Sequence, residues 1–192
     1  EAAVEKMAEI SAKEAAVSGL HVTFSPMVDL VRDPRWGRVM ESTGEDPLLN
    51  SRLAAAMVRG YQGENLKEDN WRVAACVKHF AAYGGALAGR DYNTVDMSER
   101  QLREMYLPGY KAGLDAGAKL VMTSFNTVDG IPATGNQWLF RDVLRNEFGF
   151  EGVVISDWGA IKELIPHGVA KDEKQAAELA IKAGVDIEMM TT

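Results

Sequence analysis

The sequence predicts an α/β protein, an incomplete (β/α)8 TIM-type barrel of about five parallel strands with intervening helices. Three observations predict it. One unit recurs along the whole chain: helix, glycine, apolar strand, polar loop. Loops after strands are long, whereas those after helices are short and glycine-capped, which suits a barrel whose working face is built from the loops after its strands. No glycine-rich phosphate loop follows the first strand, which argues against the competing flavodoxin-like open sheet. About five strands cannot close an eight-stranded barrel. Residues 1–192 are therefore expected to be a single partial domain, with about three strands outside them.

Each element has a local reason. Val4, Met7, Ile10 and Val17 recur at roughly helical spacing from about Ala3 to Ser18, and Gly19 is placed to end that helix. Leu20 to Phe24 reads as a strand ending at Ser25-Pro26, before a long polar loop from Asp29 to Asp46. Asp46-Pro47 is a helix start, the acid as N-cap and proline in the first turn, for a helix to about Tyr61. Val73 to Val77 is the second strand and runs into Lys78-His79-Phe80. Ser98-Glu99-Arg100-Gln101 has capping-box spacing. The helix it opens carries Leu102, Tyr106, Gly109, Tyr110 and Gly113 on one face. Lys119 to Ser124 is the third strand, and a helix from about Gln137 to Glu147 stops at Gly149. Gly152-Val153-Val154-Ile155-Ser156 reads as a strand buried on both faces and ends in Asp157-Trp158. A helix from about Glu173 to Ala183, then Gly184 and a fifth strand, Val185 to Met189, complete the pattern.

Composition narrows the function. With 46% hydrophobic and 26% charged residues and a formal charge of −7, the chain has an ordinary globular composition. There is no basic cluster, so neither nucleic acid nor an anionic membrane is expected as a partner. No apolar run approaches a membrane span. Cys76 is the single cysteine and reads as a small core residue. His21, His79 and His167 lack metal-ligand spacing, so no metal and no cofactor are expected. The chain opens inside a helix-like run without a signal-peptide pattern and stops just after a strand-like run; both ends read as cut from something longer.

Parallel strands put their C-terminal tips on one face: Pro26, Lys78-His79, Ser124 to Asn126, and Asp157-Trp158, with Arg38 and Arg90 in loops from the same face. Cations and a histidine there can bind hydroxyls, and an aromatic ring can pack on a sugar's apolar face, so the set suits a small polyhydroxylated ligand.

These residues carry a resemblance. Phe24-Ser25-Pro26-Met27-Val28-Asp29, Arg32-Asp33-Pro34-Arg35-Trp36-Gly37-Arg38, Gly44-Glu45-Asp46-Pro47, Val77-Lys78-His79-Phe80, Asp91-Tyr92-Asn93-Thr94-Val95-Asp96-Met97-Ser98 and Ile155-Ser156-Asp157-Trp158 stand in the order found in the N-terminal barrel domain of glycoside hydrolase family 3. The chain resembles bacterial periplasmic β-glucosidases in particular, over essentially its whole length. The resemblance implies that Asp157 is the nucleophile of a retaining mechanism, with Arg38, Lys78 and His79 around the sugar hydroxyls and Lys78 favouring the ionised Asp157 by proximity. It adds Arg90, Met122 and Trp158 as substrate contacts, and a β-glycoside or oligosaccharide as substrate. Phe125 stands where some relatives carry a tyrosine. The second carboxylic acid that such a mechanism needs is implied to come from a later domain. Glu41, Glu45 and Asp91 match no acid/base motif, and the loop after Lys78-His79 lacks the histidine of the N-acetylhexosaminidase branch. Location would be periplasmic or secreted.

Blander readings stand beside these. Arg32, Asp33, Arg35 and Asp46 read equally as a loop-bracing ion network, Trp36 as a loop anchor, Met122 as core and Lys78 as a structural ion-pair lysine. Other functions compatible with the sequence are a β-xylosidase or exo-β-glucanase of the same family, a barrel lyase using Lys78 as a Schiff-base amine, and a sugar-binding module without catalysis.

Overall fold

The structure is a computed structural model and describes residues 1–92 and 94–190; Asn93 of the loop motif and the last two residues lie outside the described set. Helix α1, Ala2–Val17, turns through Gly19 (φ 82°) into a short strand β1, Val22–Thr23. Asp46 caps helix α2, Pro47–Gln62, its Oδ1 accepting from Leu48 N at 2.8 Å and Leu49 N at 3.2 Å, as Asp-Pro predicts. Strand β2 spans Ala74–Phe80. Three abutting stretches, Glu99–Gln101, the π-wound Leu102–Tyr106 and Leu107–Asp115, form α3. Ser98 Oγ caps it by accepting from Gln101 N at 3.2 Å. Strand β3, Leu120–Thr123, leads to a hairpin of β4, Thr127–Val128, and β5, Ile131–Pro132. The π-wound α4, Trp138–Glu147, strand β6, Val153–Ile155, and α5, Glu173–Ala183, complete the described elements.

The main sheet is parallel with order β1-β2-β3-β6. Setting aside the hairpin, each strand lies beside its predecessor in sequence. A doubly wound sheet would reverse direction at a switch point; none occurs here, and the order is that of a barrel wall. Side chains alternate across the sheet. Cys76, Leu120, Met122 and Ile155 cluster on one face, with Ala74, Val153 and Met189 packed against them. Ala75, Val77, Val121 and Val154 join the larger core shared with the helices. Close helix packing needs glycine. A Cβ on Gly60 of α2 would stand 2.3 Å from Glu5 O of α1, and one on Gly109 of α3 would stand 1.8 Å from Asn50 Oδ1 of α2.

Two strand expectations change. The predicted strand from Val185 to Met189 lies beside β6 as one parallel bridge, Ile155 to Ile187. Asp186 N and Ile187 N donate to Val154 O at 2.8 and 3.1 Å, and Ser156 N donates to Ile187 O at 2.8 Å. The Asp186 carboxylate itself accepts from Val154 N at 2.8 Å, so a side chain occupies a ladder position and regular pairing does not extend. Strand β2, in contrast, runs three residues past its expected end. Val28 N donates to Lys78 O at 2.7 Å on one side and Ser124 N to Phe80 O at 3.0 Å on the other, so the Lys78-His79-Phe80 segment is held as strand. The hairpin was not anticipated, although Asp129-Gly130 carries the signal: both residues have positive φ, 52° and 75°, as a tight two-residue connection requires.

Candidate active site

The site is assembled from three chain segments at the C-terminal ends of the strands. Strand β2 supplies His79, the loop from β1 to α2 supplies Asp29 and Arg38, and the end of β6 supplies Asp157.

His79 is fully enclosed, and its two ring nitrogens face different partners. Nδ1 lies 2.7 Å from Asp29 Oδ2, which also accepts from His79 N at 3.1 Å. The other oxygen of Asp29 accepts from the Tyr110 hydroxyl of α3 at 2.7 Å. An ionised carboxylate only accepts, so Nδ1 carries the proton. The second nitrogen, Nε2, lies 3.2 Å from Arg38 Nη1, and a guanidinium only donates. With Arg38 donating, Nε2 is the acceptor, and these contacts assign His79 the Nδ1–H tautomer.

Asp157 meets the same nitrogen. Its Oδ2 stands 3.3 Å from His79 Nε2, yet it is buried and accepts no hydrogen bond among the described residues. The tautomer explains this: Nε2 presents a lone pair, not a proton. Oδ1 of Asp157 accepts from Trp158 N at 2.7 Å, and Asp157 N donates to Thr123 Oγ1 at 3.3 Å. The carboxylate is thus fixed through one oxygen, and the other is left without a donor.

Arg38 is held by Glu41, Nε to Oε1 at 2.6 Å and Nη2 to Oε2 at 2.7 Å. That bidentate pair raises the guanidinium's already high basicity and holds the Glu41 carboxyl below its ordinary range. The guanidinium also lies over the Tyr83 ring at 5.7 Å. Tyr83 packs edge-on against His79 and against Trp36, each with centroids 5.1 Å apart. Burial pushes the Tyr83 phenol well above its ordinary range. Trp36 is buried, and its Nε1 donates to Asp91 Oδ1 at 2.9 Å, tying two loops together.

The structure distributes the expected residues unevenly. Arg38, His79 and Asp157 come together. Lys78 forms no ion pair within 4.0 Å among the described residues; with Glu41, Met27, Phe24 and Met7 it lines a cleft of about 200 Å³ beside β1. Arg90 is exposed and, among the described residues, forms no hydrogen bond or ion pair with any of the three. Met122 is buried on the inner sheet face, and Trp158 is 62% exposed beside Asp157. Ser124 and Asn126 turn inward, both donating to Ala81 O, and brace the end of β2. In the first long loop Arg35 pairs with Asp33 at 2.6 Å.

Two acids escaped the sequence reading. Asp29 stood in a quoted motif but is 50 residues from His79 and gives no local sign of the contact. Glu163, in the loop after β6, has its carboxyl raised by burial and by the neighbouring Asp157 charge. Its signal was only its position six residues beyond a strand-tip acid. Among the described residues no group of three or more His, Cys, Asp or Glu is arranged to hold a metal ion. A cavity of about 820 Å³ opens among α1, the end of α2 and residues 63–72, on the side of the loops that precede strands, and contains none of these groups.

The whole chain, residues 1–192, matches the glycosyl hydrolase family 3 N terminal domain. The chain belongs to glycoside hydrolase family 3. Over 187 residues, 97% of the chain, it is 52% identical to the periplasmic beta-glucosidase of Salmonella typhimurium, of which it covers 24%. It is 40% identical to a beta-xylosidase of Formosa agariphila, covering 97% of this chain and 26% of that protein. The β-glucosidase from Listeria innocua, solved in complex with glucose, superposes with a TM-score of 0.98 at 66% identity, over 100% of this chain and 27% of that one. A mutant of the same enzyme, in complex with laminaribiose, gives the same TM-score at 65% identity. The family 3 chain thus spans about a quarter of the length of these relatives.

Proposed function

We propose that these residues form the nucleophile-bearing part of a retaining β-glycosidase that releases terminal non-reducing β-D-glucosyl residues. The observation that carries the reading is Asp157: a carboxylate at a strand tip, one oxygen held by a backbone amide and the other unpartnered beside His79 and Arg38. Oδ2 of Asp157 attacks the anomeric carbon, the C1–O bond to the aglycone breaks, and the leaving oxygen takes a proton from a second acid. Water then hydrolyses the glycosyl ester. Arg38, Lys78 and His79 bind hydroxyls of the sugar, and Arg90, Met122 and Trp158 complete its surroundings. The second acid comes from a later domain, and the parent protein is periplasmic or secreted, as the likeness to a periplasmic relative supports.

The β-xylosidase relatives favour a xyloside as the alternative substrate. Mass spectrometry of the full-length polypeptide after treatment with dinitrophenyl 2-deoxy-2-fluoro-β-D-glucoside decides the main reading. The adduct is expected on Asp157, and Asp157→Ala is expected to lose it with turnover. An adduct on any other residue ends the assignment; faster labelling by the xyloside analogue transfers it to the alternative.

A further inference from the structure

We propose that Asp29 is a positioning residue that keeps the nucleophile free by fixing the tautomer of His79; the proposal rests on Asp157 being that nucleophile. Three distances carry it. Asp29 Oδ2 receives both the backbone N–H and Nδ1 of His79, at 3.1 and 2.7 Å, so it fixes ring rotation and proton placement together. Arg38 Nη1 at 3.2 Å from Nε2 selects the same tautomer from the other side. Asp157 Oδ2, 3.3 Å from Nε2, is then faced by a lone pair and stays unpartnered.

Without Asp29 the imidazole loses its Nδ1 acceptor. The other tautomer places a proton on Nε2, directed at Asp157 Oδ2. That hydrogen bond would stabilise the ground-state carboxylate and draw charge from the attacking oxygen, while turning a donor toward the donors of Arg38. Asp29 touches no substrate. It acts through His79, and it is anchored by Tyr110, whose hydroxyl lies 2.7 Å from Oδ1 and 2.6 Å from His79 O.

The structural alternative is that Asp29 only braces the β1 to α2 loop against β2 and α3. Labelling of Asp157 by dinitrophenyl 2-deoxy-2-fluoro-β-D-glucoside separates the two, because dinitrophenolate leaves without needing a proton. In the full-length protein, Asp29→Ala is expected to slow the labelling rate constant about 100-fold, with the analogue's dissociation constant within about threefold of wild type. Asp29→Asn keeps an amide oxygen for Nδ1–H and is expected to lose only about tenfold. In a His79→Ala background neither change at Asp29 should slow labelling further, because the residue it acts through is gone. Tyr110→Phe, which removes one hydrogen bond from the same carboxylate and leaves its bond to Nδ1, should lower stability and slow labelling by less than Asp29→Ala. Wild-type labelling by Asp29→Ala, equal slowing by Tyr110→Phe, or additive losses in the His79→Ala background overturns the proposal. If Asp29→Ala does not fold, Asp29→Asn with and without His79→Ala decides on the same criteria. Failure of the wild type to label Asp157 condemns the functional reading instead.

Discussion

Asp157 and Glu163 show how far one charge reaches at this site. Burial and the Asp157 charge both raise the Glu163 carboxyl above its ordinary range. A carboxyl raised in the folded state binds protons more tightly there than in the unfolded chain. Its contribution to stability is therefore present below the unfolded value and lost as pH rises through the folded one. Glu163→Gln removes the charge and keeps the shape. It is expected to raise the melting temperature at pH 7 and to change it little at pH 4, where the acid is largely protonated in both states. A larger gain at pH 4 than at pH 7 would contradict that electrostatic account. Cys76 gives the opposite kind of test. Its thiol is fully buried on the inner face, and burial pushes it up to about 12. The native protein is expected to resist alkylation by iodoacetamide at pH 8 and to react completely in urea. Fast native alkylation would mean that the inner sheet face is open to solvent.

At the scale of elements, helix packing depends on glycines that the sequence pattern marks without explaining. Gly60 lets α2 lie against the backbone of α1: its missing Cβ would stand 2.3 Å from Glu5 O and 2.6 Å from Ala8 Cβ. The first of these is backbone and cannot swing aside. Gly60→Ala gains helix propensity, about 1 kcal/mol, but must push two helices apart. A net loss of about 2–3 kcal/mol is expected in urea unfolding, and a neutral or stabilising result would show that α1 shifts freely. The elements themselves were legible because each rests on local chemistry. Asp46-Pro47 set a helix start, Ser98 capped another, and the Val153-Val154-Ile155 run set a buried strand. The fifth strand was only half legible, because a long-range side-chain bond from Asp186 decides where pairing stops. Arg38, His79 and Asp157 could be named from their motifs. The order of contacts among them could not, since it depends on Asp29 and on a hydroxyl 81 residues further along the chain at Tyr110.

At the scale of the whole molecule, the sheet is a wall with one side of β1 unpaired among the described residues. Beside that edge stand apolar side chains that a closed barrel would cover. Met7 of α1 is 50% exposed and Phe24 is 44% exposed, and both line the same cleft as Met27, Met57 and Lys78. An unpaired strand flanked by apolar groups is a template for another chain. Residues 1–192 expressed alone are therefore expected to self-associate, with sedimentation velocity showing species that grow with concentration. Phe24→Lys places a charge next to the open edge without entering the core of the sheet and helices. It should shift the distribution toward monomer, whereas Met40→Lys, a change at an exposed residue outside that cleft, should not. Equal effects from the two substitutions would locate the association elsewhere. Nor is glycoside turnover expected from these residues alone, because a retaining reaction needs a second carboxyl group about 5–5.5 Å from the nucleophile. The acid with the clearest electrostatic link to Asp157, Glu163, is distinguished from that partner by experiment: if the isolated chain hydrolyses an unactivated β-glucoside and Glu163→Gln abolishes it, the second acid lies within the barrel. If the chain instead accepts the dinitrophenyl fluoroglucoside on Asp157 and turns over no natural glycoside, the wall supplies the nucleophile and another domain the proton.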